Sequence, residues 1–291
     1  MRIKSIFALL LTFIFLQGCA TDNESNSAEE VNGQASQEQT ESNNHSELEK
    51  QDREEEEQAE GMNEEEEETQ SAAGSQEAES KEVEKQYQIN ENTWTVDPIS
   101  DANPKVALLT IDDAPDAHAL KMAQTLKKLD VKAIFFVNGH LINSPEKEDV
   151  IKEIYDLGFA IGNHTYGHNN LKDLSEEEQK QEIVKVNDMV EEITGERPRF
   201  FRAPFGSNTD YSKKVAAEEN MTIMNWTYGY DWEQEYQTKE AIADIMVNSP
   251  YLNNGANLLM HDRQWTMEAM EDIVTGLQAK GYIIADPETI K

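Results

Sequence analysis

The stretch Val106-Ala107-Leu108-Leu109-Thr110-Ile111-Asp112-Asp113-Ala114-Pro115 decides the fold of this chain. It is a largely apolar, strand-like run that ends on two carboxylates and a proline. A second stretch repeats the pattern with different chemistry: residues 159–161 are apolar, and His164-Thr165-Tyr166-Gly167-His168 follows. In sheets whose strands are joined by helical crossovers, the strand C-termini share one face, and active sites gather there. Two histidines at i, i+4 plus a carboxylate give three protein ligands and leave a divalent metal one open position for water. The two stretches together predict a metal site suited to hydrolysis.

The flanking sequence repeats the same kind of unit. Apolar or β-rich runs recur at residues 133–137, 199–201, 222–226, 257–260 and 283–285. Helical patterns lie between them. Ser144-Pro145 reads as an N-cap with proline at the first helical position, closed at Gly158. Ser175-Glu176-Glu177-Glu178 reads as a capping box. The helix it opens carries Ile183, Val186, Val190 and Ile193 at helical spacing and stops at Gly195. A third helix spans residues 267–280 and ends at Gly281. Strand–helix alternation of this kind implies a parallel sheet covered by helices. Seven strand candidates suggest closure into a barrel, so residues 93–291 read as one α/β domain with a full core.

Residues 1–18 read as a targeting segment. Arg2 and Lys4 precede an apolar run over residues 6–16 that is too short to span a bilayer. The run ends in Leu16-Gln17-Gly18-Cys19, which resembles a bacterial lipobox and implies cleavage before Cys19 and lipidation of its thiol. Cys19 is the only cysteine, so no disulfide framework exists. Residues 19–92 are rich in Glu, Gln, Ser and Asn, with solid acidic runs at 54–57 and 64–68. Such a segment buries too little apolar surface to offset its ordering entropy and reads as a disordered tether. Its r.m.s. span is roughly 45–50 Å, more with self-repulsion. The formal net charge of −33 is shared between tether and domain. It argues against nucleic acid and anionic lipid surfaces as partners.

The motifs of residues 105–290 resemble the polysaccharide deacetylases of the NodB-like type, carbohydrate esterase family four, in five ordered blocks. The resemblance implies a distorted (β/α) barrel of about seven parallel strands. In the first block, residues 110–115, it makes Asp112 the general base and Asp113 a metal ligand. In the second, His164 and His168 are the other two ligands. Zinc is the default metal for such a set, and cobalt, nickel and manganese are compatible. In the third, Phe201-Arg202-Ala203-Pro204-Phe205-Gly206, Arg202 orients the base and the Phe205 backbone N–H is an oxyanion donor. In the fourth and fifth, Tyr230-Asp231-Trp232 and Leu258-Leu259-Met260-His261-Asp262, His261 is the general acid and Asp231 its partner. Trp232 and Leu259 would wall a pocket for the acetyl methyl.

The chain departs from the family pattern at Ala114, where glycine is usual. A Cβ there would narrow the turn if the backbone needed positive φ. Tyr228 or Gly229 replaces an upstream aspartate of the fourth block, and Phe205 stands where tyrosine is common. His45 falls in the tether, His118 is expected to be exposed near a helix start, and His140 lies at the active face without a matched role. The expected activity is metal-dependent hydrolysis of N-acetyl groups on peptidoglycan by a lipid-anchored monomer outside a bacterial membrane. Exported poly-N-acetylglucosamine and chitin oligomers are alternative substrates. A wall-binding pseudo-deacetylase with weak turnover is the alternative from another class.

Overall fold

The computed structural model describes residues 83–291. The signal segment, Cys19 and the acidic linker up to residue 82 lie outside the described residues. No helix among the described residues is long and apolar enough to cross a membrane.

The stretch that opened the sequence reading becomes the longest strand, β3 (Val106–Ala114), after a short hairpin of β1 (Tyr87–Ile89) and β2 (Val96–Pro98). Six further parallel strands follow: β4 (Ile134–Val137), β5 (Ala160–Asn163), β6 (Phe200–Phe201), β7 (Thr222–Ile223), β8 (Ala256–His261) and β9 (Ile283–Ile284). Each falls on one of the seven predicted runs. The sheet order is β7-β6-β5-β4-β3-β8, with β9 beside the start of β3. The central strands β3 and β4, buried on both faces, read as continuous apolar runs, which is why they were legible.

Six helices connect them: α1 (Ala119–Lys128), α2 (Pro145–Asp156), α3 (Glu176–Thr194), α4 (Asp210–Glu218), α5 (Lys239–Asn248) and α6 (Gln264–Ala279). The Ser175–Glu178 capping box forms as predicted, and Gly195 ends α3 in the left-handed region at φ 85°. The third predicted helix begins three residues earlier, at Gln264.

Side chains along β3 alternate between two cores, as the period of two requires. Ala107, Leu109 and Ile111 face the helices and pack with Met122, Leu126, Ile273 and Leu277. Val106 and Leu108 face inward and pack with Ile134, Phe136, Phe200 and Met224. Further up the same inward face stand Thr110 and Asp112, both buried. The barrel interior therefore changes from apolar to polar toward the strand C-termini.

Closure is incomplete. Beyond β7 the chain meets β8 in a single parallel bridge, Tyr228 to Leu258. Polar groups plug the gap below it: Arg202 Nη2 and Asn257 Nδ2 both donate to the Asn225 carbonyl, at 2.9 and 3.0 Å. This seam gives the barrel its distortion.

The domain starts earlier than residue 93. Tyr87 and Val96 are buried in the inner core beside Ile290. The Gln86 N–H donates to Thr289 O, and Lys291 N–H donates to Tyr87 O. The β1–β2 hairpin thus belongs to the barrel. A boundary at residue 93 cuts the hairpin between its strands, because the three-residue β1 among Gln, Asn and Glu carries almost no hydrophobic pattern.

Candidate active site

The C-terminal ends of β3, β5, β6 and β8 converge on an open cleft of about 450 Å³. Asp112, Asp113, His164, His168, Phe205, Trp232, Leu259 and His261 all line it. Trp226 and Arg263, which the sequence reading did not single out, line it too.

Asp112 and Asp113 point apart, as adjacent strand residues can. Asp112 turns inward, where Arg202 Nη1 donates to its Oδ1 at 2.7 Å. Arg202 is fully buried and its guanidinium lies 4.4 Å from the Phe136 ring centroid. Its other N–H groups donate to Thr110 Oγ1, Met224 O and Asn225 O. Burial pushes the Asp112 carboxyl up, but Arg202, then His164 and His261, outweigh it and hold the group below the usual carboxylate range. Arg202 thus sits where its charge keeps a buried carboxylate ionised.

Asp113 faces the cleft with its two oxygens divided. Oδ1 lies 3.7 Å from His168 Nε2, and Oδ2 accepts from Arg263 Nη2 at 3.0 Å. Ligand atoms of Asp113, His164 and His168 all lie within 4.8 Å of one another. The donor set fits a divalent metal on the chemistry of its tautomers. His164 Nδ1 lies 2.7 Å from the Arg202 carbonyl, which only accepts, so Nδ1 carries a proton and Nε2 is the nitrogen left to face a metal. Burial, followed by the neighbouring His164, lowers the His168 pKa and favours the neutral, ligating form. Arg263 then holds Asp113 from the side away from the imidazoles.

The second pair stands across the cleft. Asp231 is fully buried, and its Oδ1 accepts from His261 Nδ1 at 2.7 Å. Its Oδ2 accepts the His261 N–H at 2.6 Å and the Thr266 hydroxyl at 2.8 Å. Thr266 lies in the first turn of α6, where the helix dipole favours a carboxylate. Burial pulls the His261 pKa down, but the hydrogen bond and charge of Asp231, helped by Asp112 and Asp113, raise it above the ordinary value. Trp232, 45% exposed, meets His261 edge-on at 5.5 Å, while Leu259 is buried in the wall.

The His261 shift gives a prediction. A folded pKa raised above the unfolded value of about 6.5 stabilises the fold below that pH, and the contribution fades as pH rises through the folded value. Any activity that needs the imidazolium falls over the same range. Asp231→Asn should lower the His261 pKa and move the basic limb of a pH–rate profile toward lower pH. An unmoved limb would show that His261 does not set it.

Backbone strain concentrates here. Asp113, Thr165, His168 and Phe205 sit at positive φ, at 62°, 67°, 55° and 59°. Such residues cost about 1–3 kcal/mol each and persist where function or surroundings demand them. The concern over Ala114 is corrected: it pairs with Val137 inside β3, is buried, and is not among the positive-φ residues. The left-handed residue is Asp113, so a Cβ at 114 costs nothing in the turn. Phe205 is 67% exposed, with its ring edge-on to His168 at 5.0 Å. No backbone acceptor within the described residues takes its N–H.

Two expectations about other residues change. His118 is half-buried at the start of α1 rather than exposed. Asp262 accepts the N–H groups of Ala117, His118 and Ala119 at 3.1, 2.5 and 3.0 Å, which draws that loop inward. His140 is exposed, lies 2.8 Å from the Tyr166 carbonyl, and does not line the cleft. Asp262 and Arg263 were not legible because their partners lie more than 140 residues away in the chain.

Residues 99–224 match the family described as polysaccharide deacetylase. A peptidoglycan-N-acetylglucosamine deacetylase of Bacillus cereus is 32% identical over 188 residues, covering 62% of this chain and 66% of the relative. The peptidoglycan-N-acetylmuramic acid deacetylase PdaC of Bacillus subtilis is 32% identical, covering 65% of this chain and 38% of the relative. Among solved structures, a Bacillus anthracis protein described as a CE4 family pseudoenzyme superposes with a TM-score of 0.58 at 32% identity. That match covers 65% of this chain and 67% of the other. The chain belongs to the polysaccharide deacetylases, carbohydrate esterase family four. It spans 38% to 66% of the length of the two curated relatives.

Proposed function

We propose that the protein is a metal-dependent N-deacetylase of acetylamino-sugar polymers, with peptidoglycan as its substrate. One observation carries this reading: a two-imidazole, one-carboxylate donor set and a separate Asp231–His261 pair face one cleft. Asp113, His164 and His168 would hold the metal. Bound there, a divalent ion, zinc first, supplies Lewis acidity to the acetyl carbonyl and to water.

The chain's own groups account for the proton movements. Asp112, kept ionised by Arg202, takes a proton from the attacking water. The Phe205 N–H donates to the developing oxyanion, a contact worth about 2.7–4 kcal/mol. The C–N bond of the tetrahedral intermediate breaks as His261 Nε2 hands its proton to the departing amine, worth about 10²–10⁴ in rate. Acetate and the free amino sugar result. Trp232 and Leu259 wall the acetyl methyl.

Peptidoglycan is favoured because the two curated relatives are named for its two acetylated sugars. Exported poly-N-acetylglucosamine and chitin oligomers share the same acetamido group. Acetate release from wall fragments and from chitin oligomers tests the assignment, and faster release from chitin would overturn the preference for peptidoglycan. A second reading is a wall-glycan-binding pseudo-deacetylase, favoured by the Bacillus anthracis likeness. The assembled Asp112, Asp113, His164, His168 and His261 argue against it, and an absence of acetate release would support it.

The location is part of the proposal. Cys19 would carry a lipid anchor, and the acidic segment would let the domain work on the wall outside the membrane. Cys19→Ala should appear in the medium or remain uncut. A mature-sized Cys19→Ala protein retained on membranes as before would rule out the anchor.

A further inference from the structure

Beside the catalytic cleft lies a second and larger depression, of about 640 Å³. That is within the range of about 300–1,000 Å³ typical of small-molecule sites. The edge strand β7 forms one side of it, Lys213 and Ala217 of α4 another, and Glu91 and Trp94 of the β1–β2 loop a third. Its upper end is Gly206, Asn208 and Asn225.

This upper end is the back of the catalytic cleft. Phe205 and Trp226 line the cleft, and their chain neighbours Gly206 and Asn225 line the groove. The wall between them is thin: a Cβ on Gly206 would meet Asn225 Nδ2 at 3.1 Å and Trp226 at 3.5 Å. Asn208 Nδ2 donates to Asn225 Oδ1 at 3.2 Å, yet the buried Asn208 Oδ1 has no hydrogen-bond partner.

We propose that this groove is a distal glycan subsite, holding sugar units of the same polymer beyond the one whose acetyl group lies in the cleft. The proposal rests on the deacetylase reading for the identity of the polymer. The chemistry suits a neutral, acetamido-bearing sugar chain. An indole such as Trp94 offers a flat apolar face to the C–H face of a pyranose ring, and a polar N–H at its edge. Asn225 and Lys213 supply donors for hydroxyls and acetamido oxygens, and Glu91 supplies acceptors. Trp94 itself is held at φ 61°, uncommon for a bulky residue, by a turn in which its N–H donates to Asn90 O. The hairpin that a composition-based boundary at residue 93 would split thus becomes part of substrate recognition.

The test is calorimetric binding of N-acetylglucosamine dimer and hexamer to the full chain, with metal chelated to prevent turnover, in parallel with acetate release by the metal-loaded protein. The full chain should bind hexamer more tightly than dimer. Trp94→Ala should weaken hexamer binding by about fivefold or more and leave dimer binding unchanged. Ala217→Arg, which fills the groove from an exposed helix position, should do the same with the hairpin untouched. Equal binding of dimer and hexamer, or a length preference that survives Ala217→Arg, overturns the subsite even if acetate release is normal. Groove-dependent hexamer binding without acetate release would keep the subsite and overturn the catalytic reading.

Discussion

Asp112→Asn should reduce acetate release by about 10²–10⁴-fold while the protein still binds its metal. The side chain stays the same size, and its amide oxygen still accepts from Arg202 Nη1, so the cleft should keep its shape. What disappears is the negative charge and the buried Oδ2 that lies 3.4 Å from His164 Nε2. The three donors assigned to the metal lie elsewhere, on Asp113, His164 and His168. His164→Ala is the complement, because it should lose metal and activity together. The Asn variant should also melt lower than the parent, since it leaves Arg202 buried without a counter-charge. A variant that is metal-free at temperatures where it is folded would show that Asp112 is a ligand and that the roles of the two aspartates are wrongly divided.

Arg202→Met should destabilise the domain by about 3–5 kcal/mol. The guanidinium is fully buried and donates to Asp112, Thr110, Met224 and Asn225, so it ties β3 to the seam beyond β7. Methionine fills the volume but leaves Asp112 a buried carboxylate with no cation against it. The pH dependence should change in a defined sense. In the parent the lowered Asp112 pKa contributes stability above the unfolded value of about 3.9, lost as pH falls through the folded value. In the variant the largest of the groups that lower this pKa is gone, the pKa rises, and acidification should recover part of the lost stability. Chemical denaturation at pH 7 and pH 5 measures both effects. A loss below about 1 kcal/mol would mean that the pair contributes no more than a surface salt bridge.

Much of this site was legible because its residues come in short local blocks at strand ends. Asp112 and Asp113 follow the apolar residues of β3, and His164 and His168 follow β5, so local sequence placed them on one face before any coordinates. The capping box at Ser175 and the stop at Gly195 were equally local. The contacts that tune these groups were not local. Arg263 reaches Asp113 across 150 residues, and Thr266 reaches Asp231 across 35. No spacing rule connects such pairs, because the sheet order alone brings them together. Backbone conformation was hidden too: the family comparison drew attention to Ala114, whereas the left-handed residue is Asp113. Strand β1 fell outside the domain boundary for lack of amphipathic pattern, and the groove that Trp94 lines was not legible because it is assembled from the β1–β2 loop, α4 and β7.

The central claim, a metal-dependent amide hydrolase, is tested most directly by one titration. Acetate release from peptidoglycan fragments is followed after chelation of the full chain and then with zinc added back stepwise. Release should vanish on chelation and return in proportion to bound zinc, reaching its plateau at one ion per chain. Undiminished release from the chelated protein, or none from a protein carrying one zinc, would contradict the account.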